Sequence, residues 1–580
     1  MPVDQNFKDK KLERPLAIGN DLFPDMSGSY YVDKSLLAKD IIDSTTKVIL
    51  FTRPRRFGKT LNMTMLQTFF EKPLDGRDTS HYFKDLKIWQ QGEKYRAEQG
   101  KRPVIFITFK DVKFSSYKET SDAIKLLISS EYGRHEELAS SGKLSEQEKN
   151  FYNGIAGQNV PESSWADSFK TLSRMLCKHY GEQALVLIDE YDAPIQAAYD
   201  YGFYDKMVVF MRNFLSGVLK TNPSLYRGIL TGITRVSKES IFSGLNNLTV
   251  DTIFDVQFSQ YFGITEPELK EMLAFYGIPE KYPEMKEWYD GYDFGGLEIY
   301  NPWSVIQYIY KDCQADAYWV NTSGNSLIGE ALRSLDEKDR ESLPSLLTGG
   351  EVEKQIDTNL IYPEIFSDEG AAFSLLAQSG YLKSTHTELI DGMRFCTLTI
   401  PNKEVRTIYP KEIINRFAKD NDALTRMRQL NVAVIRGRAN DIQKAMQAYL
   451  TQMCSSFDLT EEKDYHNFFV GLLAASVSGY EVKSNRESGG GRYDIMLYPK
   501  KPNLPGIIFE IKHCKATKAL QKNKEKLSAA LKAAALEALK QIESKNYAAD
   551  LEAKGAHQII KYGAAFSGKQ AHVEMNNCIG

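Results

Sequence analysis

Sulfur and imidazole chemistry have little to work with in this chain. The six cysteines, Cys177, Cys313, Cys396, Cys454, Cys514 and Cys578, are scattered with no CxxC pair. That pattern disfavours both a zinc ribbon and a disulfide framework and fits reduced thiols in a cytosol. Histidines number only eight, and such residues more often pack or hydrogen-bond than ligate a metal. Charge of one sign is also lacking: 73 Lys and Arg stand against 76 Asp and Glu, a net charge of −3. A protein that coats nucleic acid through bulk electrostatics is disfavoured, although a local basic groove is not. No apolar stretch approaches the length that spans a bilayer, and the opening MPVDQNFKDKKLERPL is polar rather than a signal sequence. A cytoplasmic protein with no membrane partner is expected, and no internal repeat stands out.

What is present is ordered. At 580 residues the chain exceeds one ordinary core, so two or three domains are expected. Apolar β-branched runs recur in the first half: KVILFT (47–52), VIFITF (104–109), ALVLIDEY (184–191) and YRGILTGIT (226–234). Runs apolar on both faces and separated by helical spacers predict an α/β domain with a parallel sheet over residues 1–260. Residues 261–340 turn helical and aromatic, with DGYDFGG (290–296) and NPWSV (301–305) marking a loop entering a helix, and predict a helical lid. Residues 341–431 hold FSLLAQSGYL and FCTLTIP, a helix feeding a strand, read as a connector or a winged-helix-like module. From 432 to 580 the order is helices, strands at 493–498 and 507–512, a long Ala/Lys/Leu helix around 516–546, and YGAAF (562–566), a mixed α/β domain.

Two segments carry phosphate chemistry. TRPRRFGKT (52–60) lies where a strand ends and a helix begins. Backbone N–H groups there can surround phosphate oxygens, Lys59 can reach the β- and γ-phosphates, and Thr60 offers a hydroxyl to Mg²⁺. Gly58 opens the helix, Arg55 and Arg56 add positive charge, and Arg53 occupies the place where the common pattern has glycine. Downstream, ALVLIDEYD delivers Asp189 and Glu190 at a strand end, one to hold Mg²⁺ and the other to polarise an attacking water. TGITR brings Thr231, Thr234 and Arg235 within reach of a γ-phosphate. The threonines also suit a strand for packing alone, and the arginines also suit surface ion pairs.

Near the C-terminus, GRYDIMLYP carries Asp494, and GIIFEIKH carries Glu510 and Lys512 at i and i+2, which point to one face of a strand. The connection YPKKPNLPG brings the two strands together as a hairpin. Two carboxylates can hold Mg²⁺, or Mn²⁺, against a phosphodiester while Lys512 orients or deprotonates a water. Residues 515–545 hold eight lysines against three glutamates. The surplus suits a nucleic-acid backbone and equally a solvated helix face.

On YYVDKS (30–35), RPRRFGKT (53–60), LIDEYDAP (187–194), TGITR, DGYDFGG and NPWS, the chain resembles the bacterial AAA-ATPase-like proteins, in which arginine is usual at the place of Arg53. The resemblance implies a P-loop fold related to signalling-type ATPases, with Asp33 and Lys34 near the nucleotide. Residues 432–580 resemble the PD-(D/E)xK nuclease superfamily, a restriction-endonuclease-like fold, with Tyr493 in place of the motif's proline. That likeness implies a helix acid, Glu462 or Glu461, completing the metal shell. It also implies Glu487 and Gly489 to Gly491 at the approach to the site, Gln541 bracing it, and Lys569 as a basic residue on the following strand. The resulting expectation is an ATP-binding and ATP-hydrolysing protein with a Mg²⁺-dependent nuclease domain, acting on DNA rather than RNA, with a homo-oligomer admitted. The alternative is a nucleotide-controlled switch whose C-terminal domain binds nucleic acid or protein without cutting.

Overall fold

The computed structural model describes residues 5–234, 247–319, 326–335, 339, 342–347, 349–358, 370–409, 423–453, 466, 469–470, 472–473, 479–501, 503–514 and 523–579. Compact packing divides the chain into two units, one of Met1–Gly324 with Glu353–Glu404, the other of Asn325–Val352 with Val405–Gly580. These limits cross the expected segments 261–340 and 341–431.

The first unit is built on five parallel strands: β1 (Val48–Thr52), β2 (Val104–Thr108), β3 (Ala184–Asp189), β4 (Leu225–Gly232) and β5 (Leu248–Asp251), in the order β2-β3-β4-β1-β5. Every residue of β1 and β3 is buried, as the uninterrupted apolar runs require of strands covered on both faces. The register sets Thr108 beside Asp189 and Thr52 beside Gly232. The ends of β2, β3, β4 and β1 therefore form one rim, the edge where ligands bind on open parallel sheets. The four apolar runs are all strands. The fifth, LTVD, is too short and mixed to stand out in the sequence.

Beyond the sheet, β6 (Ile264–Thr265), β7 (Tyr292–Phe294) and β8 (Leu297–Tyr300) form an antiparallel sheet in the order β6-β8-β7. It packs with the helices Glu266–Phe275, Tyr282–Tyr289 and Pro302–Tyr310 around Leu269, Met272, Tyr289 and Tyr308. DGYDFGG, expected as a loop, is thus half strand and half hairpin turn, with Gly295 and Gly296 both at positive φ. NPWS behaves as expected: the Asn301 side chain accepts the Ser304 N–H at the helix start, and Pro302 follows at the first position, where no N–H is needed. β9 (Val352–Ile356), β10 (Lys383–Ile390) and β11 (Met393–Thr399) form a further sheet, after the buried helix Ala371–Gln378 in the case of β10 and β11.

The second unit carries a mixed sheet of β12 (Tyr480–Ser488), β13 (Gly491–Pro499), β14 (Gly506–His513), β15 (Gln558–Ser567) and β16 (Gln570–Ile579), in that order. Only β14 and β15 run parallel, and the helix Lys524–Ser544 makes the crossover such a pair demands. Alternation divides β13 and β14 between two cores. Ile495, Leu497, Ile507, Phe509 and Ile511 pack with Leu430, Val434, Ile442 and Met446 of the helices Ala423–Ile435 and Ala439–Met453. Met496, Tyr498 and Ile508 face Ile542 and Leu551 instead. Asp494, Glu510 and Lys512 share the parity of that second face.

Candidate functional site

In the first unit the turn after β1 places Gly58, at φ 79°, ahead of the helix Lys59–Phe70. Lys59 is buried, and its ammonium donates to the carbonyls of Arg53 (3.1 Å) and Pro54 (3.0 Å). Burial lowers its pKa, opposed by Glu190, Asp192 and Asp189. Arg53 turns away from the loop and is fully buried, donating to the Asp251 carboxylate and, at 3.0 Å, to the Asp251 carbonyl. Its guanidinium lies over the rings of Phe262 and Phe294, 5.1 Å and 5.3 Å from their centres, a cation held against aromatic faces. The residue that breaks the glycine pattern is therefore a bolt between the ends of β1 and β5. Burial pushes the Asp251 carboxyl up to about 6 against the pull of Arg53.

Asp189 is the hub of the rim. It accepts hydroxyls from Thr60 (2.9 Å), Thr108 (3.0 Å) and Thr231 (2.5 Å), and burial raises its pKa against the hydrogen bond from Thr231. Glu190 follows at φ 51° and donates its N–H to Thr231 Oγ1 at 3.1 Å. Arg56 is at φ 68°. Left-handed backbone costs a non-glycine residue about 1–2 kcal/mol, and such outliers gather where a side chain must be aimed. Arg56 lies over the Trp303 ring at 4.4 Å, and Arg55 donates to Gln196 at 3.1 Å. The Thr234 hydroxyl is buried and makes no hydrogen bond among the described residues, while its N–H donates to Asp192 at 3.2 Å. A cavity of about 330 Å³ opens here, lined by Lys59, Thr60 and Glu190 and by Tyr30, Met272 and Trp303. Such a space can take phosphates at the loop and a flat apolar group beyond.

In the second unit the expected trio converges. Just past the last β13–β14 pair, Ile495–Phe509, the Asp494 N–H donates to Glu510 Oε2 at 3.4 Å. Asp494 Oδ2 accepts the Ile511 N–H at 2.7 Å, and Lys512 Nζ lies 3.6 Å from Glu510 Oε1. Gln541 Nε2 donates to Glu510 Oε1 and, at 3.3 Å, to the Tyr547 hydroxyl. His466 reaches the Asp494 carbonyl at 3.1 Å. Glu510 is 2 % exposed, and burial, then the Asp494 charge, push its pKa up to about 8 against Lys512. Two hard carboxylates, one of them buried and pushed up in pKa, suit a divalent cation, which would relieve both charges. Among the described residues no group of three or more His, Cys, Asp or Glu is placed to hold a metal. Glu461 and Glu462, expected to add the third acid, lie outside the described residues, as does Arg235.

Other expectations change. Gly489 to Gly491 lie against the chain just past the helix Lys524–Ser544. They close the β12–β13 turn onto protein: Gly490 N–H donates to the Lys545 carbonyl at 2.7 Å, and a Cβ at Gly489, φ 57°, would lie 2.3 Å from that carbonyl. Lys569 sits in the exposed turn between β15 and β16 rather than on a strand, and Glu487 is exposed opposite Arg492. Asp33 is taken up by the N–H groups of Ser35 (2.9 Å) and Lys87 (2.7 Å). Lys34 lines the cavity but is bound to Glu268 at 2.6 Å. The lysines at 515, 518 and 522 fall outside the described residues; Lys524, Lys526, Lys532, Lys540 and Lys545 lie on or just after the helix Lys524–Ser544. The sequence reading missed Thr108, Lys110, Trp303 and Tyr547. Only the strand order brings the first two to the rim. Trp303 lies within NPWSV, and Tyr547, six residues past Gln541, carries no local pattern of its own.

By class, then, this is a phosphate-loop parallel-sheet unit together with a mixed-sheet unit bearing two facing carboxylates. Residues 18–242 match the family model described as a predicted AAA-ATPase, and residues 460–576 match that of the PD-(D/E)XK nuclease superfamily. The chain carries an AAA-ATPase-like domain and a C-terminal PD-(D/E)XK nuclease superfamily domain, as the resemblance implied. It is 25 % identical over 552 residues, 93 % of each chain, to an uncharacterized protein in the vnfD 5′ region of Azotobacter chroococcum. No solved structure matches. Domains of these two families point to ATPase and nuclease-type hydrolase chemistry, generally use nucleotide and divalent metal, and in the second case imply a nucleic-acid substrate. Among the described residues no helix is long and apolar enough to cross a membrane.

Proposed function

We propose that the chain is an ATP-binding and ATP-hydrolysing protein whose C-terminal domain cleaves phosphodiesters of nucleic acid, DNA rather than RNA, with Mg²⁺ or Mn²⁺. The observation that carries this reading is the meeting of Asp494, Glu510 and Lys512 on one face of two adjacent strands, with Glu510 buried and held by Gln541. Asp494 and Glu510 would hold the cation, which supplies charge neutralisation at the phosphate. Lys512 orients the attacking water or, once neutral, takes its proton, and Gln541 keeps the Glu510 carboxylate turned inward. In the nucleotide site Thr60 and Asp189 would hold Mg²⁺, and Lys59 exchanges its loop carbonyls for phosphate oxygens. Glu190 accepts a proton from the attacking water, while Arg55, Arg56, Thr234 and Arg235 meet the phosphates.

The deciding experiment is a cleavage panel of single-stranded, double-stranded and branched DNA and RNA, with divalent metal and with or without ATP. Cutting that Lys512→Ala abolishes while ATP binding persists supports the reading. Every substrate left intact by the wild-type chain under all conditions sinks the nuclease half.

A further inference from the structure

Lys110 sits two residues past the end of β2, where no phosphate-loop pattern directs attention, yet it lines the same cavity as Gly58, Lys59, Thr60 and Glu190. Its backbone is indexed to the rim: Lys110 N–H donates to Thr108 Oγ1 at 3.3 Å, and that hydroxyl donates to Asp189 Oδ2 at 3.0 Å. Its ammonium is bound by Asp21, which also lines the cavity. Asp21 is anchored in turn to the phosphate-loop helix, since Thr64 Oγ1 donates to the Asp21 carbonyl at 2.9 Å and accepts the Phe23 N–H at 3.1 Å. A strap thus runs from the helix after the loop to the end of β2. The hydrogen bond to Asp21 raises the Lys110 pKa first, with the Glu190 charge adding to it and the Arg56 charge opposing, and both of these residues line the same cavity.

We infer that Lys110 is a specificity-determining residue that recognises the terminal phosphate of a nucleoside triphosphate, and that Asp21 holds it back until that phosphate arrives. This rests on the nucleotide reading proposed above. Along the rim the order is loop, β4, β3, β2, so Lys110 stands past Glu190, on the side where the terminal phosphate meets its attacking water. The strap side chains are 42 % and 41 % exposed, and an ion pair so open to water is weak. A phosphate dianion offers the ammonium a stronger charge-assisted partner while repelling the Asp21 carboxylate. A diphosphate, lacking that group, leaves the strap closed.

Calorimetric titration of the full chain with ATPγS and with ADP, both with Mg²⁺, tests this. Lys110→Met is expected to weaken ATPγS about tenfold or more while ADP changes by less than about twofold. Lys110→Arg is expected to recover most of the loss, and Asp21→Asn to tighten ATPγS selectively. Equal weakening of both nucleotides, or no change in either, overturns the inference while ADP binding keeps the nucleotide reading intact. A wild-type chain that binds neither nucleotide brings down both.

Discussion

Arg53 shows how one residue can break a phosphate-loop pattern and leave the loop whole. Its guanidinium is consumed by Asp251 and two aromatic rings, so restoring the pattern's glycine would strand a buried carboxylate. Arg53→Gly is expected to destabilise the first unit by about 3–5 kcal/mol, read by denaturant unfolding; a loss below about 1 kcal/mol would refute the bolt. Glu510 makes a pH prediction. With its folded pKa at about 8 and its ordinary value at 4.5, the metal-free native state keeps a proton that the unfolded state releases. Its contribution to stability therefore declines as pH rises from about 4.5 to 8. A divalent cation competes with that proton, so Mn²⁺ should bind more tightly at pH 8.5 than at pH 6.5. Glu510→Gln should flatten the dependence, and calorimetry at the two pH values decides it.

At the scale of elements, the second site depends on how closely the helix Lys524–Ser544 lies on the sheet. Gly563 pairs with Glu510 across β14 and β15, and a Cβ there would sit 2.0 Å from the Ala535 carbonyl. Gly563→Ala should lift the helix, cost about 1–3 kcal/mol and loosen Gln541 from Glu510. Thermal melting and divalent-ion affinity should fall together; a stability loss with unchanged affinity would separate the packing from the site. The elements themselves were unevenly legible. β1 and β3 announced themselves because strands buried on both faces are apolar nearly throughout, β2 and β4 through mostly apolar runs, and the i, i+2 spacing of Glu510 and Lys512 forced them onto one face. β12 and β16, the polar edge strands YEVKSNRES and QAHVEMNNCI, were not read, since an edge can carry solvent-facing residues that mask alternation. The glycines of ESGGGRYD were legible as special, but local sequence does not say which distant carbonyl will lie against them.

For the whole molecule, two units with separate interiors imply two ligand responses. Mg²⁺ with ATP should raise one calorimetric unfolding transition by linkage, and Lys59→Ala should remove that shift. Mn²⁺ alone should raise the other, and Asp494→Asn should remove it. A single transition answering equally to both ligands would contradict this division. The sequence by itself marked the two candidate sites, because a lysine after a strand-to-helix turn, an acid at a strand end and alternating carboxylates are local patterns imposed by backbone periodicity. Tertiary structure alone decided which residues share those sites. Strand order brings Thr108 to Asp189 and Lys110 to the same rim, Tyr547 accepts from Gln541 beside Glu510, and Arg53 is drawn to Asp251. Such neighbours are set by long-range packing, for which no short stretch of chain carries the information.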